Sequence, residues 1–189
     1  MAVARIFLSA VLLCTALGIW AEPVWVGRFS EADPAIPAPW KIEHLNEKYP
    51  PTRYALRRWD GVVAIEARAD KSMALLGRPV AVDLKKTPIL CWQWRIDAPV
   101  ASADMNRKSG DDYAARVYLT FSVPPEQLGL GTRTKLALAR SIYGDQVPDA
   151  ALNYVWDNIH PVGTLQDNAY TDRTRMLVHY SDDLADGTC

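Results

Sequence analysis

The segment from Gly110 to Phe121 carries side chains that could bind or transform a polar ligand. Two adjacent carboxylates come first, and a guanidinium, a phenol and a hydroxyl follow at every second position: Asp111, Asp112, Arg116, Tyr118 and Thr120. Carboxylate and guanidinium groups form hydrogen bonds with sugar hydroxyls, and an aromatic ring stacks on the C–H face of a sugar. The segment therefore favours contact with a carbohydrate or a similarly polar ligand.

The same segment alternates between polar and apolar positions, which is typical of a β-strand. The apolar row consists of Ala115, Val117, Leu119 and Phe121. We expect this row to cover a core and the polar row to line a groove. For Arg116, a structural ion pair with Asp111 or Asp112 is the alternative to contact with a ligand.

A second strand-like run, L-N-Y-V-W at residues 152–156, contributes an amide and an indole. Together with the first segment it gives five candidate ligand-binding residues. We predict that Asp112 and Arg116 are hydrogen-bonding anchors and that Tyr118 and Trp156 are stacking rings. Asn153 would be the orienting amide.

Two further tryptophans, Trp92 and Trp94, alternate with polar neighbours in a predicted strand from Ile89 to Ile96. Their indoles therefore point the same way. They could stack on a sugar, but tryptophans of a β-sandwich more often fill the core, and core packing is the favoured interpretation.

Metal binding has one candidate. Asp104, Asp111 and Asp112 lie close together in sequence and could bind Ca²⁺ through hard oxygen ligands, although EF-hand spacing is absent. Turn formation and solvated charge are the commoner uses of such residues. We predict no required cofactor, with Ca²⁺ as a possibility.

Catalytic motifs are mostly missing. The three histidines are far apart, and the sequence has no G-x-S-x-G, C-x-x-C or glycine-rich phosphate loop. Adjacent carboxylates on a strand point to opposite faces, so Asp111 and Asp112 would not flank one glycosidic bond. A polysaccharide lyase that uses Tyr118 or His160 as the base beside Arg116 is the strongest enzymatic alternative.

The amino terminus predicts export. One basic residue, Arg5, precedes an apolar run from Ile6 to Trp20, and Ala21 follows, which is typical of a signal peptide over residues 1–21. Cleavage after Gly18, a lipoprotein and a retained anchor are the alternatives. We expect a periplasmic or secreted protein without a membrane span after cleavage.

Charge argues against nucleic acid as a partner. The chain has 21 basic and 22 acidic residues, and removal of the leader takes away one further basic residue, Arg5. A chain with this balance has no strong general attraction to polyanions. We expect a monomer that binds a glycan or a cell-envelope component.

Two cysteines follow the leader, Cys91 and Cys189, and they could pair in an oxidising compartment. Cys91 lies between Leu90 and Trp92, so a buried core thiol is the favoured interpretation.

Short β-type runs separated by turn residues indicate an all-β fold. The predicted strands cover residues 54–56, 62–67, 74–76, 80–84, 89–96, 115–121, 152–156 and 176–180. Only Thr134 to Tyr143 has helical character, with Gly144 as a stop. We predict one domain over residues 22–180, built as an antiparallel β-sandwich with one short helix.

Four runs resemble the bacterial family catalogued as domain of unknown function 3047. They are W-Q-W-R at 92–95, G-D-D-Y-A-A-R-V-Y at 110–118, L-N-Y-V-W at 152–156 and P-V-G at 161–163. The resemblance covers about residues 25–178 and implies an exported protein without an assigned activity. It also implies a jelly-roll sandwich similar to lectins and carbohydrate-binding modules. Residues 181–189 depart from the pattern, which indicates an unrelated tail in place of the family's final strands.

These observations favour a non-catalytic protein that binds a glycan or another envelope component. A polysaccharide-cleaving lyase or glycoside hydrolase is one alternative, and a structural or partner-binding envelope protein is the other.

Overall fold

The structure is a computed structural model that describes residues 22–29, 35–44, 46–145 and 147–180. The predicted signal peptide, residues 1–21, and the predicted atypical tail, residues 181–189, lie outside these ranges. Within the ranges, no helix has the length and apolar character that a membrane span requires.

The chain divides into two compact units between Leu90 and Cys91. No linker or change of composition marks this point in the sequence. The single domain over residues 22–180 stays a prediction, because two compact units can belong to one domain.

The first unit contains four short strands: β1 (Lys41–Glu43), β2 (Arg53–Trp59), β3 (Val62–Arg68) and β4 (Leu75–Gly77). β1 pairs with β4 and β2 pairs with β3, both antiparallel. These strands confirm the predictions at residues 54–56, 62–67 and 74–76, apart from small differences at their ends. The predicted strand at 80–84 is wrong, since these residues form no strand.

A two-residue turn joins β2 to β3. Asp60 and Gly61 both have positive φ angles, 49° and 86°, and Trp59 pairs directly with Val62 across the turn. Positive φ at both central positions is the geometry of a type I′ hairpin turn, for which Asp-Gly is a preferred sequence. The turn therefore fixes the register of the whole hairpin.

The second unit contains a four-stranded sheet. Its strands are β5 (Arg116–Phe121), β6 (Ala150–Trp156), β7 (Leu165–Asn168) and β8 (Thr171–Tyr180), in the order β5-β6-β8-β7. The described part of the chain is thus mostly β, with one α-helix and three sheets, none of them closed.

The two central strands of this sheet run parallel, whereas β5–β6 and β7–β8 are antiparallel. The prediction of a wholly antiparallel architecture is therefore wrong for β6 and β8. Because β7 and β8 form a hairpin after β6, the chain reverses twice and β8 enters the sheet in the direction of β6. Sequence periodicity contains no information about this pairing.

Residues of β6 alternate strictly in burial. Ala151, Asn153 and Val155 are buried, while the intervening residues are only half-buried. Val155 packs with two β8 side chains and with residues of the loop before β5, and together they form the main core: Ala103, Met105, Tyr113, Val155, Met176 and Val178. The loop from residue 103 to 113 therefore covers one face of the sheet.

Helix α1 spans Leu130–Tyr143. The prediction began the helix at Thr134, four residues too late, and its end before Gly144 is confirmed, where Gly144 has a φ of 92°. Arg140 of α1 donates a hydrogen bond to the Asp149 carboxylate at 2.9 Å. The backbone N–H of Val123 donates to the same carboxylate at 2.9 Å. Asp149 therefore joins the helix to the segments that flank it.

The predicted strand at Ile89–Ile96 is wrong as a strand, because these residues form no ladder. Their alternation is confirmed, since Trp92, Trp94 and Ile96 are half-buried and the residues between them are exposed. Cys91 is disulfide-bonded, so the expectation of a core thiol is also wrong.

Asp149 should make stability depend on pH. The Val123 N–H, followed by the Arg140 guanidinium, holds the pKa of Asp149 below its usual value. A lowered folded-state pKa stabilises the fold above the unfolded-state pKa of about 3.9, and this contribution is lost as pH falls through the folded-state pKa. We expect Asp149→Asn to lower the thermal midpoint at neutral pH and to flatten its decline in acid.

Thermal melts followed by circular dichroism, from neutral pH to about pH 3, measure this effect. Asp167→Asn is the matched control, because Asp167 pairs with Arg175 while 57% of its side chain is exposed. An Asp149→Asn protein with the wild-type decline in acid would contradict the prediction.

Candidate functional site

The structure brings three of the five predicted ligand-binding residues together on one sheet face. Tyr118 pairs directly with Asn153, and Arg116 pairs with Val155, so these side chains share the face that the loop covers. Trp156 lies on the opposite face, where it contacts Trp94. Asp112 is exposed in the loop before β5. The five residues therefore do not form one site.

Arg116 is held by its own chain. Its guanidinium lies 2.9 Å from the Asp111 carboxylate and donates a 2.5 Å hydrogen bond to the Asp111 carbonyl oxygen. It also stacks over the Tyr113 ring at 4.9 Å. The structural ion pair, which was the alternative to ligand contact in the sequence analysis, is thus present. Arg116 therefore attaches the loop to β5.

Asn153 and Tyr118 differ in accessibility. Asn153 is 2% exposed, and its amide donates to the Met176 sulfur at 3.4 Å. Tyr118 is 37% exposed, with its hydroxyl 3.5 Å from the Thr174 hydroxyl. Asn153 therefore lies out of reach of a ligand in solution, whereas the Tyr118 ring remains accessible at the sheet edge.

Further polar groups line the covered face. The Asn168 amide bridges the Asp111 carboxylate and the Met176 sulfur at 3.1 and 3.3 Å. Burial, assisted by the nearby Asp157 carboxylate, raises the pKa of the Tyr113 phenol. Tyr113 therefore stays protonated at neutral pH. This face is a structural layer more than an open groove, although the Tyr113 hydroxyl and the Asn153 amide oxygen are buried without a hydrogen-bond partner among the described residues.

Two of the three predicted calcium ligands, Asp104 and Asp111, are engaged in other contacts. Asp104 pairs with Arg107 at 2.6 Å and accepts hydrogen bonds from Asn106, while Asp111 pairs with Arg116. The Asn106 backbone N–H, followed by Arg107, holds the pKa of Asp104 below its usual value. Throughout the described ranges, no three acidic, histidine or cysteine side chains converge as metal ligands.

The opposite face carries five mutually contacting rings, which we call the aromatic cluster: Trp92, Trp94, Tyr154, Trp156 and His179. The Trp92 ring lies 4.5 Å from His179 and 4.9 Å from Tyr154. Trp94 lies 5.6 Å from Trp92 and 5.8 Å from Trp156. The rings are tilted or edge-to-face, which are the favourable arrangements for aromatic pairs.

The aromatic cluster is incompletely buried. All five residues are intermediate in exposure, unlike the fully buried core on the other face. The indole N–H groups of Trp92 and Trp94 have no hydrogen-bond partner among the described residues. Buried donors of this kind are usually satisfied in a finished core. The cluster therefore offers apolar ring surface, whereas these two N–H groups are themselves buried.

A histidine and a carboxylate form a second arrangement with chemical potential. Asp157 is fully buried and accepts 2.6 Å hydrogen bonds from the backbone N–H groups of Ile159 and His160. Its carboxylate also lies 3.1 Å from His160 Nδ1. The other ring nitrogen, Nε2, lies 3.1 Å from the exposed Asn106 amide. Asp157 thus orients an imidazole whose Nε2 can accept a proton.

Sequence reasoning missed Tyr154, His179 and Asp157. Tyr154 and His179 sit at alternate positions to the buried residues of β6 and β8, so the period-two pattern could have placed each on a face. Their meeting depends on the parallel pairing of those strands, which no local signal indicates. Asp157 could have been suspected as a turn carboxylate three residues before His160.

The sequence profile of one family, described as a protein of unknown function, matches residues 38–188. The chain belongs to the DUF3047 family. No curated protein and no solved structure matches it significantly. The match begins later and ends later than the span of about residues 25–178 expected from the motifs, and it includes all four strands of the four-stranded sheet.

In this DUF3047 protein, Arg116→Ala should lower stability. The side chains of Arg116 and Asp111 are 29% and 14% exposed, so the substitution should remove a partly buried ion pair and reduce the free energy of unfolding by about 1 kcal/mol. Urea unfolding measures the change. Arg175→Ala is the control, because its pair with Asp167 is more exposed and should contribute little. Equal stability of the Arg116→Ala and wild-type proteins would contradict a structural role.

Proposed function

We propose that this DUF3047 protein is exported and binds a glycan or another cell-envelope component, with the aromatic cluster as the binding surface. The five half-buried rings on one sheet face support this proposal most directly. Indole and phenol rings present flat apolar surfaces that fit the C–H faces of sugars.

Two observations fit an exported protein. The sequence predicts a signal peptide over residues 1–21, and Cys91 is disulfide-bonded. Disulfides persist in oxidising compartments such as the periplasm and the extracellular space. A periplasmic or secreted location is therefore part of the proposal.

A lectin-like sandwich is the proposed finer architecture. Sheets with one covered face and one ring-bearing face are suited to such folds, in which one sheet face commonly receives the ligand. Of the residues predicted from sequence, Trp156 belongs to the proposed surface. The accessible Asp112 and Tyr118 lie outside it, and Arg116 and Asn153 serve the scaffold.

Binding can be tested on an array of envelope glycans with Trp94→Ala. Loss of one stacking ring should weaken binding several-fold, up to about tenfold. Tyr118→Ala is the matched control, because it removes an aromatic ring from the opposite face of the same sheet. Thermal midpoints of both variants identify any loss that is due to unfolding. Absence of binding by the wild-type protein, or an equal loss in both variants, would reject the proposal.

A second candidate function is polysaccharide cleavage, and the Asp157–His160 pair favours it. The buried carboxylate orients His160 so that Nε2 can act as a general base once the exposed Asn106 side chain moves aside. In a lyase, such a base removes the proton from the carbon next to a uronic acid carboxylate, a C=C bond forms, and the glycosidic C–O bond breaks. The leaving sugar oxygen then takes up a proton from the protonated base or from water.

Purified protein incubated with acidic polysaccharides should then produce new reducing ends or unsaturated products. His160→Ala and Asp157→Asn should abolish the products. His44→Ala should not, because His44 contacts only Tyr49 and Glu47 in the described structure. Lack of products from the wild-type protein, or full activity of His160→Ala, would exclude this mechanism.

A further inference from the structure

The β2–β3 hairpin has two faces of different character. The side chains of Tyr54, Leu56, Val63 and Ile65 share one face, and all of them are half-buried. On the other face the cross-strand pairs are Arg53 with Arg68, Ala55 with Glu66, Arg57 with Ala64, and Trp59 with Val62. The second face, which we call the arginine face, is the more exposed one.

Two of the three guanidiniums on the arginine face lie beside one carboxylate. Arg57 and Arg68 lie 3.3 and 3.0 Å from the two Glu66 oxygens. Hydrogen bonding to Arg68 first, and then to Arg57, holds the pKa of Glu66 below its usual value. Glu66 therefore offsets one positive charge at most, against three guanidiniums on this face.

Arg53 has no hydrogen bond or ion pair within the described parts of the chain, and it lies directly opposite Arg68. Like charges at directly opposed positions of an antiparallel pair are destabilising. An anion placed between the two guanidiniums would reverse this repulsion, because each can donate paired hydrogen bonds to a carboxylate, sulfate or phosphate group.

The middle of the arginine face is shallow, because two of its side chains are short. Ala55 and Ala64 occupy the two central pairs, each opposite a charged residue. Arg57 lies four residues along the strand from Arg53, which corresponds to about 13 Å, and Trp59 follows at the end of the face. An extended ligand that lies along the strand could thus contact first the Arg53 and Arg68 guanidiniums and then the shallow surface of the two alanines. Beyond these it could contact the Arg57 guanidinium and the Trp59 ring.

We infer that the arginine face binds an acidic polysaccharide, with Arg53 and Arg68 on one acidic group, Arg57 on another and Trp59 against a sugar ring. Charge complementarity and the mixture of arginine with tryptophan favour this ligand. Nucleic-acid sites commonly neutralise about six to ten phosphates, and anionic membranes attract clusters of about four to eight basic residues. The arginine face has fewer cations than either partner requires.

The test uses the full chain with a uronic acid hexasaccharide and a neutral hexasaccharide as probes. We expect the wild-type protein to prefer the acidic probe, and the preference should decline with added salt. Arg53→Ala should weaken binding of the acidic probe about tenfold, as expected for loss of a charge-assisted hydrogen-bonding group. Arg53→Lys should give a smaller loss, because it keeps the charge without the paired donors.

Arg58→Ala is the matched control. Arg58 is the neighbour of Arg57 on the opposite face, is exposed, and bonds to the Gly61 carbonyl oxygen at 2.9 Å. Its removal changes the net charge by the same amount as removal of Arg53, so near-wild-type affinity would support recognition by the arginine face. Equal losses in both variants, equal binding of the two probes, or a preference for duplex DNA or anionic vesicles would overturn the inference.

The aromatic cluster can be distinguished in the same experiment. Because Trp94 belongs to the proposed glycan-binding surface, Trp94→Ala should keep the preference for the acidic over the neutral probe even where it weakens the affinity for the acidic probe. A loss of that affinity in Trp94→Ala with none in Arg53→Ala would assign acidic-glycan binding to the aromatic cluster and overturn the inference for the hairpin.

Discussion

β6 has hydrogen-bonded neighbours on both sides, and this constraint determines the character of each face of the four-stranded sheet. A strand paired on both sides cannot shift by one residue without moving every side chain to the wrong face. Asn153 and Val155 are therefore fixed toward the loop, and Tyr154 and Trp156 are fixed toward the aromatic cluster. The loop-covered face and the aromatic cluster are thus formed by alternate residues of the same short strand.

The loop on the covered face depends on close contacts. A Cβ atom on Gly110 would lie 2.7 Å from the Asp104 carbonyl oxygen, so only glycine permits this approach of the loop to itself. Asp104 in turn bonds to Asn106, which reaches His160. Met105 inserts into the core from the same loop. Side chains that resemble a ligand site in sequence are here used to hold the loop against β5 and β6.

Local signals predicted local structure well. The Asp60-Gly61 turn, the β5 strand and the helix end at Gly144 each depend on a few adjacent residues, and each is present. The alternation of burial at Trp92 and Trp94 was also predictable, although the strand ladder was not. These features follow from backbone preferences that act over a few residues.

The site was harder to predict because it depends on contacts between distant segments. Arg116 and Asn153 have the same side-chain chemistry whether a loop or water lies above them, and only the fold decides between these environments. Trp156 was predicted beside Tyr118, but a strand places neighbouring positions on opposite faces, and the parallel partner β8 determined which face gathered the rings. Family membership could not supply the missing information, because the DUF3047 description assigns no activity.

Cys91 and Trp92 are adjacent in an extended segment, so their side chains leave the backbone in opposite directions. The segment has no ladder of its own; its rings contact other rings on one side, and on the other side Cys91 is disulfide-bonded to a cysteine outside the described ranges. Reducing conditions would remove the second attachment and increase the freedom of the indoles. The redox state of the surroundings would then govern how well ordered this ring-bearing surface is.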